Sequence, residues 1–272
     1  MQLLGRFGSE AKVLAGGQSL MPLINMRLAR PGVLVDINRL TDLSSIREED
    51  GTLVIGAITR HSTIERSELV QRMCPLISEA TRLIGYPSIR ARATFGGSMA
   101  HADPAAEYPG VAVALEATLV VRGPTAERHI AARDFFQGFL TTDLADDELV
   151  TEVRIPTQPA GEGWAYAELA TRPGDYATVG VVARLSIDRS GRCQMASLTC
   201  TSVGPTPIRA ARAAAILAGE PPSADLFDAA GAIASEEVQP ESDALSSADY
   251  KRDMTRVMTR RALEAALQRT RT

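Results

Sequence analysis

The 272-residue chain is 45% hydrophobic and 23% charged, which gives core enough for one large or two modest soluble domains. A net charge of -4, aromatic residues at only 4% and the lack of any Lys/Arg run exclude a nucleic-acid surface. No stretch approaches the roughly 18 uninterrupted apolar residues of a membrane span, and no signal peptide opens the chain.

The three cysteines, Cys74, Cys193 and Cys200, are odd in number and lack metal-type spacing. They read as buried apolar thiols in a reduced, cytoplasmic compartment. Three thiols fall short of the four that an iron–sulfur cluster usually takes, so this chain alone holds none.

In chain order, the apolar run Ala11–Leu14 reads as a strand that breaks into the paired-glycine turn Ala15-Gly16-Gly17-Gln18-Ser19. An amphipathic segment follows from Leu20 to Leu28. Paired glycines let several backbone N–H groups converge on one point, the geometry that cradles a phosphate. A second version lies about 80 residues on, where the strand-like Ala93-Thr94-Phe95 enters Gly96-Gly97-Ser98. Two such loops can grip one pyrophosphate from both sides.

Between them, Pro31-Gly32 marks a turn, and Val33–Ile37 reads as a buried strand whose Asp36 binds a neighbouring turn. Thr52–Ala57 reads as another strand. A helix begins near Ser62 or Thr63 with Glu65 in its first turn, and His61 before it reads as a solvated or capping residue. Leu76, Ile77, Ala80, Leu83 and Ile84 have helical spacing over Pro75–Ile84, which Gly85-Tyr86-Pro87 ends. From Ile89 to Glu107 small residues dominate, so backbone can approach a ligand closely. Asp103 and Glu107 are acceptors suited to the hydroxyls of a ribityl or ribose chain. Asp103-Pro104 equally reads as the cap of the helix running through Pro109–Leu115, and the two roles are compatible.

Thr118–Val121 and Leu149–Ile155 read as strands, and a Pro/Gly-rich boundary follows at Pro156–Gly163. Beyond it, strands are predicted at Trp164–Leu169, Val179–Ile187 and Met195–Val203, then helices at Ile208–Ala218, Ser223–Ser235 and Asp249–Leu267. The last helix places Met254, Val257, Met258 and Leu263 on one side, as core. An antiparallel sheet with helices packed on it is the economical architecture for this half. Asp175-Tyr176 after Pro173-Gly174 reads as a turn with an aromatic plug or as a ligand contact. His61, His101 and His129 are scattered without ligand spacing, and no Gly-x-Ser-x-Gly nucleophile motif occurs.

Taken together, Ala15-Gly16-Gly17-Gln18-Ser19-Leu20, Thr94-Phe95-Gly96-Gly97-Ser98, Ala100–Glu107 and Arg172–Ala177 resemble the FAD-binding medium subunit of molybdenum-containing hydroxylases, such as aerobic carbon monoxide dehydrogenase. The resemblance runs nearly end to end. It implies an α+β fold: an FAD-binding domain of the vanillyl-alcohol-oxidase-like type over residues 1–157, then a C-terminal domain over 162–272. The first comprises two subdomains, about 1–37 and 38–157. The second is an antiparallel sheet with helices. The resemblance further implies that Ala15, Gly16, Gly17, Gln18, Ser19, Thr94, Gly96, Gly97 and Ser98 hold the FAD pyrophosphate. Val13, Leu14 and Leu20 would pack beside the cofactor, Glu107 with Asp103 would reach the ribityl chain, and Tyr176 would approach the isoalloxazine.

By the same resemblance, substrate is hydroxylated at a molybdenum–pterin cofactor in a large partner subunit. Iron–sulfur clusters in a small partner carry the electrons, and this oxidoreductase subunit's FAD passes them to an external acceptor. The complex is expected as a dimer of heterotrimers in the cytoplasm, with no catalytic residue and no metal ligand in this chain. Family members carry a longer segment, including an opening strand, before the first glycine loop. Either the start of this chain is misassigned or its first subdomain lacks an element. Two other readings are a free-standing FAD reductase or oxidase resembling the cell-wall enolpyruvyl reductase, and a scaffold that has lost FAD. The first would need a proton donor and a substrate pocket, and the sequence displays neither.

Overall fold

The computed structural model describes residues 1–270. The chain divides into two compact units, one formed by Met1–Ala102 with Glu116–Thr157 and the other by Asp103–Leu115 with Gln158–Thr272. The segment Asp103–Leu115 thus lies in sequence within the first half but folds with the second.

In the first unit, helix Gln2–Phe7 precedes strand Ala11–Leu14, which pairs in parallel with Val33–Asp36. Helix Leu20–Asn25 crosses between them, as a parallel connection needs, and Arg27 at φ 61° turns the chain out of it. The expected strands Thr52–Ala57, Thr118–Val121 and Leu149–Ile155 are present as Thr52–Gly56, Thr118–Arg122 and Leu149–Pro156. They form an antiparallel five-stranded sheet in the order Ile46–Glu49, Thr52–Gly56, Leu149–Pro156, Thr118–Arg122, Glu127–Ala131. Its interior is fully buried at Leu53, Ile55, Leu119, Val121 and Val153, with Ile64, Leu76 and Ile77 of the helices His61–Arg66 and Pro75–Leu83 also sealed.

The two outer strands were not foreseen, because Ile46-Arg47-Glu48-Glu49 and Glu127-Arg128-His129-Ile130-Ala131 are mostly charged. Ion pairs within the strand and across the sheet account for the first. Arg47 contacts Glu49 and Glu152, both at 2.6 Å, and Arg154 contacts Glu49. Charged edges of this kind also discourage pairing with another chain.

In the second unit an antiparallel sheet runs Gly163–Ala170, Ala177–Ile187, Cys193–Thr201, Ile208–Arg209. The last pair of residues corrects the helix expected over Ile208–Ala218: the segment begins as a strand on Thr199 and Cys200, and only Ala211–Ala215 is helical. Alternation sorts the central strand. Val179, Val181, Ala183 and Leu185 face one way and join Phe227, Ala230 and Ala234 of helix Ala224–Glu237 and Met258, Ala262, Leu263 and Ala266 of helix Ala248–Arg269 in one core. Cys193 and Cys200 lie in that core, and Cys74 is buried in the first unit; none of the three is in a disulfide.

On the sheet's other face packs helix Glu107–Ala114, every residue of which is buried. Its sequence, Glu-Tyr-Pro-Gly-Val-Ala-Val-Ala, is apolar almost all round, as a helix enclosed on all sides must be. Arg184 ties it down. The guanidinium donates to the Ala114 carbonyl oxygen at 2.8 Å and forms a two-pronged ion pair with Glu162 at 2.7 and 2.8 Å. The Glu162 side chain is only 2% exposed. Removing one partner of a buried pair strands the other charge, so Glu162→Ala is expected to cost about 3–5 kcal/mol. Urea unfolding checks this, and a loss below about 1 kcal/mol would show the pair to be no more than a surface contact.

Candidate functional site: two abutting glycine segments and a buried acid pair

At the end of strand Ala11–Leu14 the chain passes through Ala15 into Gly16, which is buried. A Cβ on Gly16 would stand 2.3 Å from the Arg92 carbonyl oxygen and 2.8 Å from Ala93 Cα, so only glycine permits this approach. Gly17 at φ +71° then takes the left-handed turn that glycine adopts without strain. The partner segment differs from expectation. Thr94 is extended, but Gly96 and Gly97 lie in the first turn of helix Phe95–His101 rather than in a loop after a strand. Phe95 N–H donates to Thr59 O at 3.0 Å and Gly96 N–H to Ala57 O at 2.7 Å. These bonds pin the helix start to the chain leaving strand Thr52–Gly56. Gly97 sits beside the first loop, because its Cβ would lie 3.9 Å from Ala15 Cβ and 2.6 Å from Thr94 Oγ1.

Two residues that the sequence did not single out hold the segments together. Asn38 Nδ2 donates to Ala15 O at 2.7 Å. Arg60 donates to Asn38 Oδ1 at 2.6 Å and, by its other nitrogen, to Arg92 O. Asp36 accepts from Asn38 at 2.9 Å, the turn contact its position suggested, and this bond holds its carboxyl below the usual range. An Asp-x-Asn after a strand, with an arginine ahead of the second glycine segment, was the only available signal.

The result is a cluster of unmatched donors. Among the described residues, the N–H groups of Gly16, Gly17, Gln18, Ser19 and Gly97 donate to no other group. Thr94, 3% exposed, has a hydroxyl oxygen with no hydrogen-bond partner among the described residues. Unpaired backbone donors and a buried hydroxyl at the meeting point of two glycine segments fit a phosphate-bearing ligand. Val13, Leu14, Leu20 and Ser98 are each half-buried around it. His61, expected in solvent or at a cap, is instead 2% exposed and is the first residue of helix His61–Arg66. Burial lowers its imidazole to about 4, which keeps it neutral.

Asp103, Glu107 and Tyr176 belong to the second unit. Asp103 Oδ1 accepts from Ala105 N–H at 2.9 Å and so closes a local turn. It does not cap the next helix, which begins at Glu107 after the N-cap Ala106. Tyr176 is 58% exposed, which rules out the aromatic plug. Glu107 is 4% exposed, and no ion pair reaches it among the described residues. Burial foremost, then Glu168 and Asp103, push its carboxyl up to about 8. Glu168 is pushed up to about 7 by burial, and its Oε2 is buried without a hydrogen-bond partner among the described residues. Tyr166 lies two residues along the same strand and therefore on the same face; its hydroxyl lies 3.3 Å from Thr201 Oγ1. Sequence reasoning missed Glu168 and Tyr166. An acid and a phenol spaced by two in the strand Gly-Trp-Ala-Tyr-Ala-Glu-Leu-Ala were their only trace.

Residues 1–158 match the family model described as the FAD binding domain in molybdopterin dehydrogenase, and residues 164–266 match the CO dehydrogenase flavoprotein C-terminal domain. The chain belongs to this family of FAD-binding oxidoreductase subunits. It is 40% identical over 269 residues to the carbon monoxide dehydrogenase medium chain of Hydrogenophaga pseudoflava, covering 98% of this chain and 93% of that one. It is also 40% identical over 271 residues to the 6-hydroxypseudooxynicotine dehydrogenase complex subunit alpha of Paenarthrobacter nicotinovorans, covering 100% of this chain and 92% of that one. Its fold superposes on the carbon monoxide dehydrogenase of Hydrogenophaga pseudoflava with a TM-score of 0.96 at 41% identity, covering 98% of this chain and 93% of the other. The quinoline 2-oxidoreductase of Pseudomonas putida 86 follows at 0.94 and 34%, covering 99% and 93%.

Both raised carboxyls bind more protons in the native state than unfolded. Their contribution to stability is full below the ordinary value of 4.5 and is lost as pH rises through about 7 and about 8. The urea midpoint of the wild type should therefore fall between about pH 6 and about pH 8.5. Glu107→Gln, which carries no proton to lose, should flatten that slope, and an unchanged slope would place the titration elsewhere.

Proposed function

We propose that this chain binds one FAD and serves as the electron-transfer subunit of a multi-subunit molybdenum hydroxylase. Electrons from iron–sulfur clusters of a partner reach an external acceptor through it. The observation that carries the reading is the group of unmatched N–H donors where Gly16–Ser19 and Gly97 meet beside the buried hydroxyl of Thr94. Relatives whose names denote medium chains or subunits of dehydrogenase complexes support the assembly, among them the caffeine dehydrogenase subunit beta of a Pseudomonas strain. A large molybdenum–pterin subunit and a small iron–sulfur subunit, arranged with this chain as a dimer of heterotrimers in the cytoplasm, complete the proposal. No helix among the described residues is long and apolar enough to cross a membrane.

The division of labour follows from the residues. Ala15, Gly16, Gly17, Gln18 and Ser19, with Thr94, Gly96, Gly97 and Ser98, would hold the pyrophosphate, the N–H groups of Gly16–Ser19 and Gly97 and the Thr94 hydroxyl being the groups still unpaired. Val13, Leu14 and Leu20 would flank the cofactor with apolar surface. Asn38 and Arg60 position the segments rather than touch the ligand. In the proposal, residues 1–157 form the FAD domain and 162–272 the C-terminal domain. Asp103 and Glu107 take the ribityl hydroxyls, and Tyr176 approaches the ring system. A neutral Glu107 can both donate to and accept from a hydroxyl, which a carboxylate cannot do. Bound FAD supplies the redox chemistry, exchanging electrons singly or in pairs. The chain itself orients the cofactor and sets the charge around it.

Gly97→Asp tests the assignment. The new side chain meets Thr94 Oγ1, already 2.6 Å from the Cβ position, and sets a negative charge among the donors. FAD affinity is expected to fall by at least about a hundredfold (~2.8 kcal/mol) with the circular dichroism of the fold unchanged. A folded variant that keeps its flavin would remove this segment from the cofactor site.

A further inference from the structure

Glycines set how closely helix Glu107–Ala114 lies on the sheet of the second unit. A Cβ at Gly110 would stand 2.0 Å from Thr201 Cγ2, so the helix meets strand Cys193–Thr201 there. Glu107 precedes Gly110 by three residues and sits on the same side of the helix, one turn back. On the sheet, the register sets Glu168 opposite Gly180 and Gly180 opposite Thr201, one row across three strands. Gly180 leaves a gap in that row. A Cβ there would stand 2.5 Å from the Tyr166 hydroxyl and 2.4 Å from Thr201 Oγ1, so the phenol crosses the glycine to reach the threonine.

Two carboxyls come together here without a cation. Glu107 is buried, and Glu168 Oε2 is sealed from solvent with no hydrogen-bond partner among the described residues. The charge of Glu168 acts on Glu107, and the charges of both act on the Tyr166 phenol, which makes the three groups neighbours. The other charged groups on the elements packed against the helix are engaged elsewhere. Arg184 of strand Ala177–Ile187 is taken by Glu162 and by the Ala114 carbonyl at the far end of the helix. Arg209 of strand Ile208–Arg209 is exposed, and no ion pair reaches either acid among the described residues. Asp103 adds a third carboxyl, whose Oδ1 accepts from Ala105 N–H. Two carboxyls enclosed together without a cation do not both ionise near neutrality, and they keep a proton between them.

We propose that Glu168 is a positioning residue for Glu107: it takes the first negative charge of the pair and so keeps the last shared proton on Glu107, whose O–H donates to a ribityl hydroxyl. FAD is then held less tightly once that proton leaves for solvent. The inference rests on the assignment of Glu107 to the ribityl chain. It adds the residue that sets the protonation of Glu107 and a pH dependence of cofactor binding. Tyr166 and Thr201, bonded to each other across Gly180, complete the wall that keeps the pair from water.

The test follows the FAD dissociation constant of the full-length chain by flavin fluorescence from about pH 5.5 to about pH 9, with the urea midpoint read at each pH. Wild-type affinity is expected to fall at least about tenfold between about pH 7 and about pH 9. Glu168→Gln keeps the shape of the side chain and removes its charge, so the fall should begin about one pH unit lower. A packing defect alone would weaken binding equally at every pH. Glu107→Gln should remove the fall, because its amide keeps a donor throughout. A fall that stays at the wild-type pH in Glu168→Gln overturns the positioning role. A wild-type affinity flat in pH, beside a urea midpoint that still steps down and shifts in Glu168→Gln, separates the acid pair from the cofactor. That result overturns the inference through the ribityl assignment of Glu107. A folded chain that takes up no FAD at any pH overturns the cofactor reading itself.

Discussion

A Cβ at Gly16 would stand 2.3 Å from the Arg92 carbonyl oxygen, closer than any side chain tolerates. The loop after the first strand and the start of helix Phe95–His101 therefore meet backbone to backbone, with no side chain between them. Holding segments some 80 residues apart at that distance incurs loop-closure entropy that must be offset. Asn38 and Arg60 do so with hydrogen bonds to Ala15 and Arg92, while Thr59 and Ala57 accept from Phe95 and Gly96. The donors of Gly16–Ser19 and Gly97 are left without partners among the described residues, and Gly97 lies beside Ala15. The ligand-binding character of the first unit follows from this one close approach.

The second unit solves a different problem. Helix Glu107–Ala114 is enclosed, so its first residue carries an acid into a place with no cation to meet it. Strand Gly163–Ala170 adds Glu168 and Tyr166 on one face; burial raises all three groups, Glu168 adds to the rise at Glu107, and both acids add to the rise at Tyr166. Arg184 shows the alternative on the same sheet, where a guanidinium and the Glu162 carboxylate are buried together and satisfied. The unpaired acids have been left protonatable near neutrality, a pattern that marks functional positions more often than structural ones.

Much of this was legible in the sequence because glycine pairs and apolar runs report backbone needs directly. The strands Ala11–Leu14, Val33–Asp36, Thr52–Gly56 and Ala177–Ile187 stand where the apolar runs put them. The second glycine pair misled, since Ala93-Thr94-Phe95 has strand-like residues while tertiary bonds to Thr59 and Ala57 start a helix there. Edge strands Ile46–Glu49 and Glu127–Ala131 were hidden by charge that is paired in the folded sheet. His61 looked like a surface residue because its burial comes from packing that no local pattern announces. Asn38, Arg60, Tyr166 and Glu168 act across long sequence separations, which periodicity cannot register.

The measurement that bears most directly on these relations is the visible absorption spectrum of the purified wild-type chain, followed by heat release and identification of the chromophore. The expected result is a flavin spectrum with non-covalent FAD at about one per chain, since a single cradle of backbone donors serves a single pyrophosphate. A colourless protein that also fails to take up added FAD would contradict the central claim that the two glycine segments form a cofactor site.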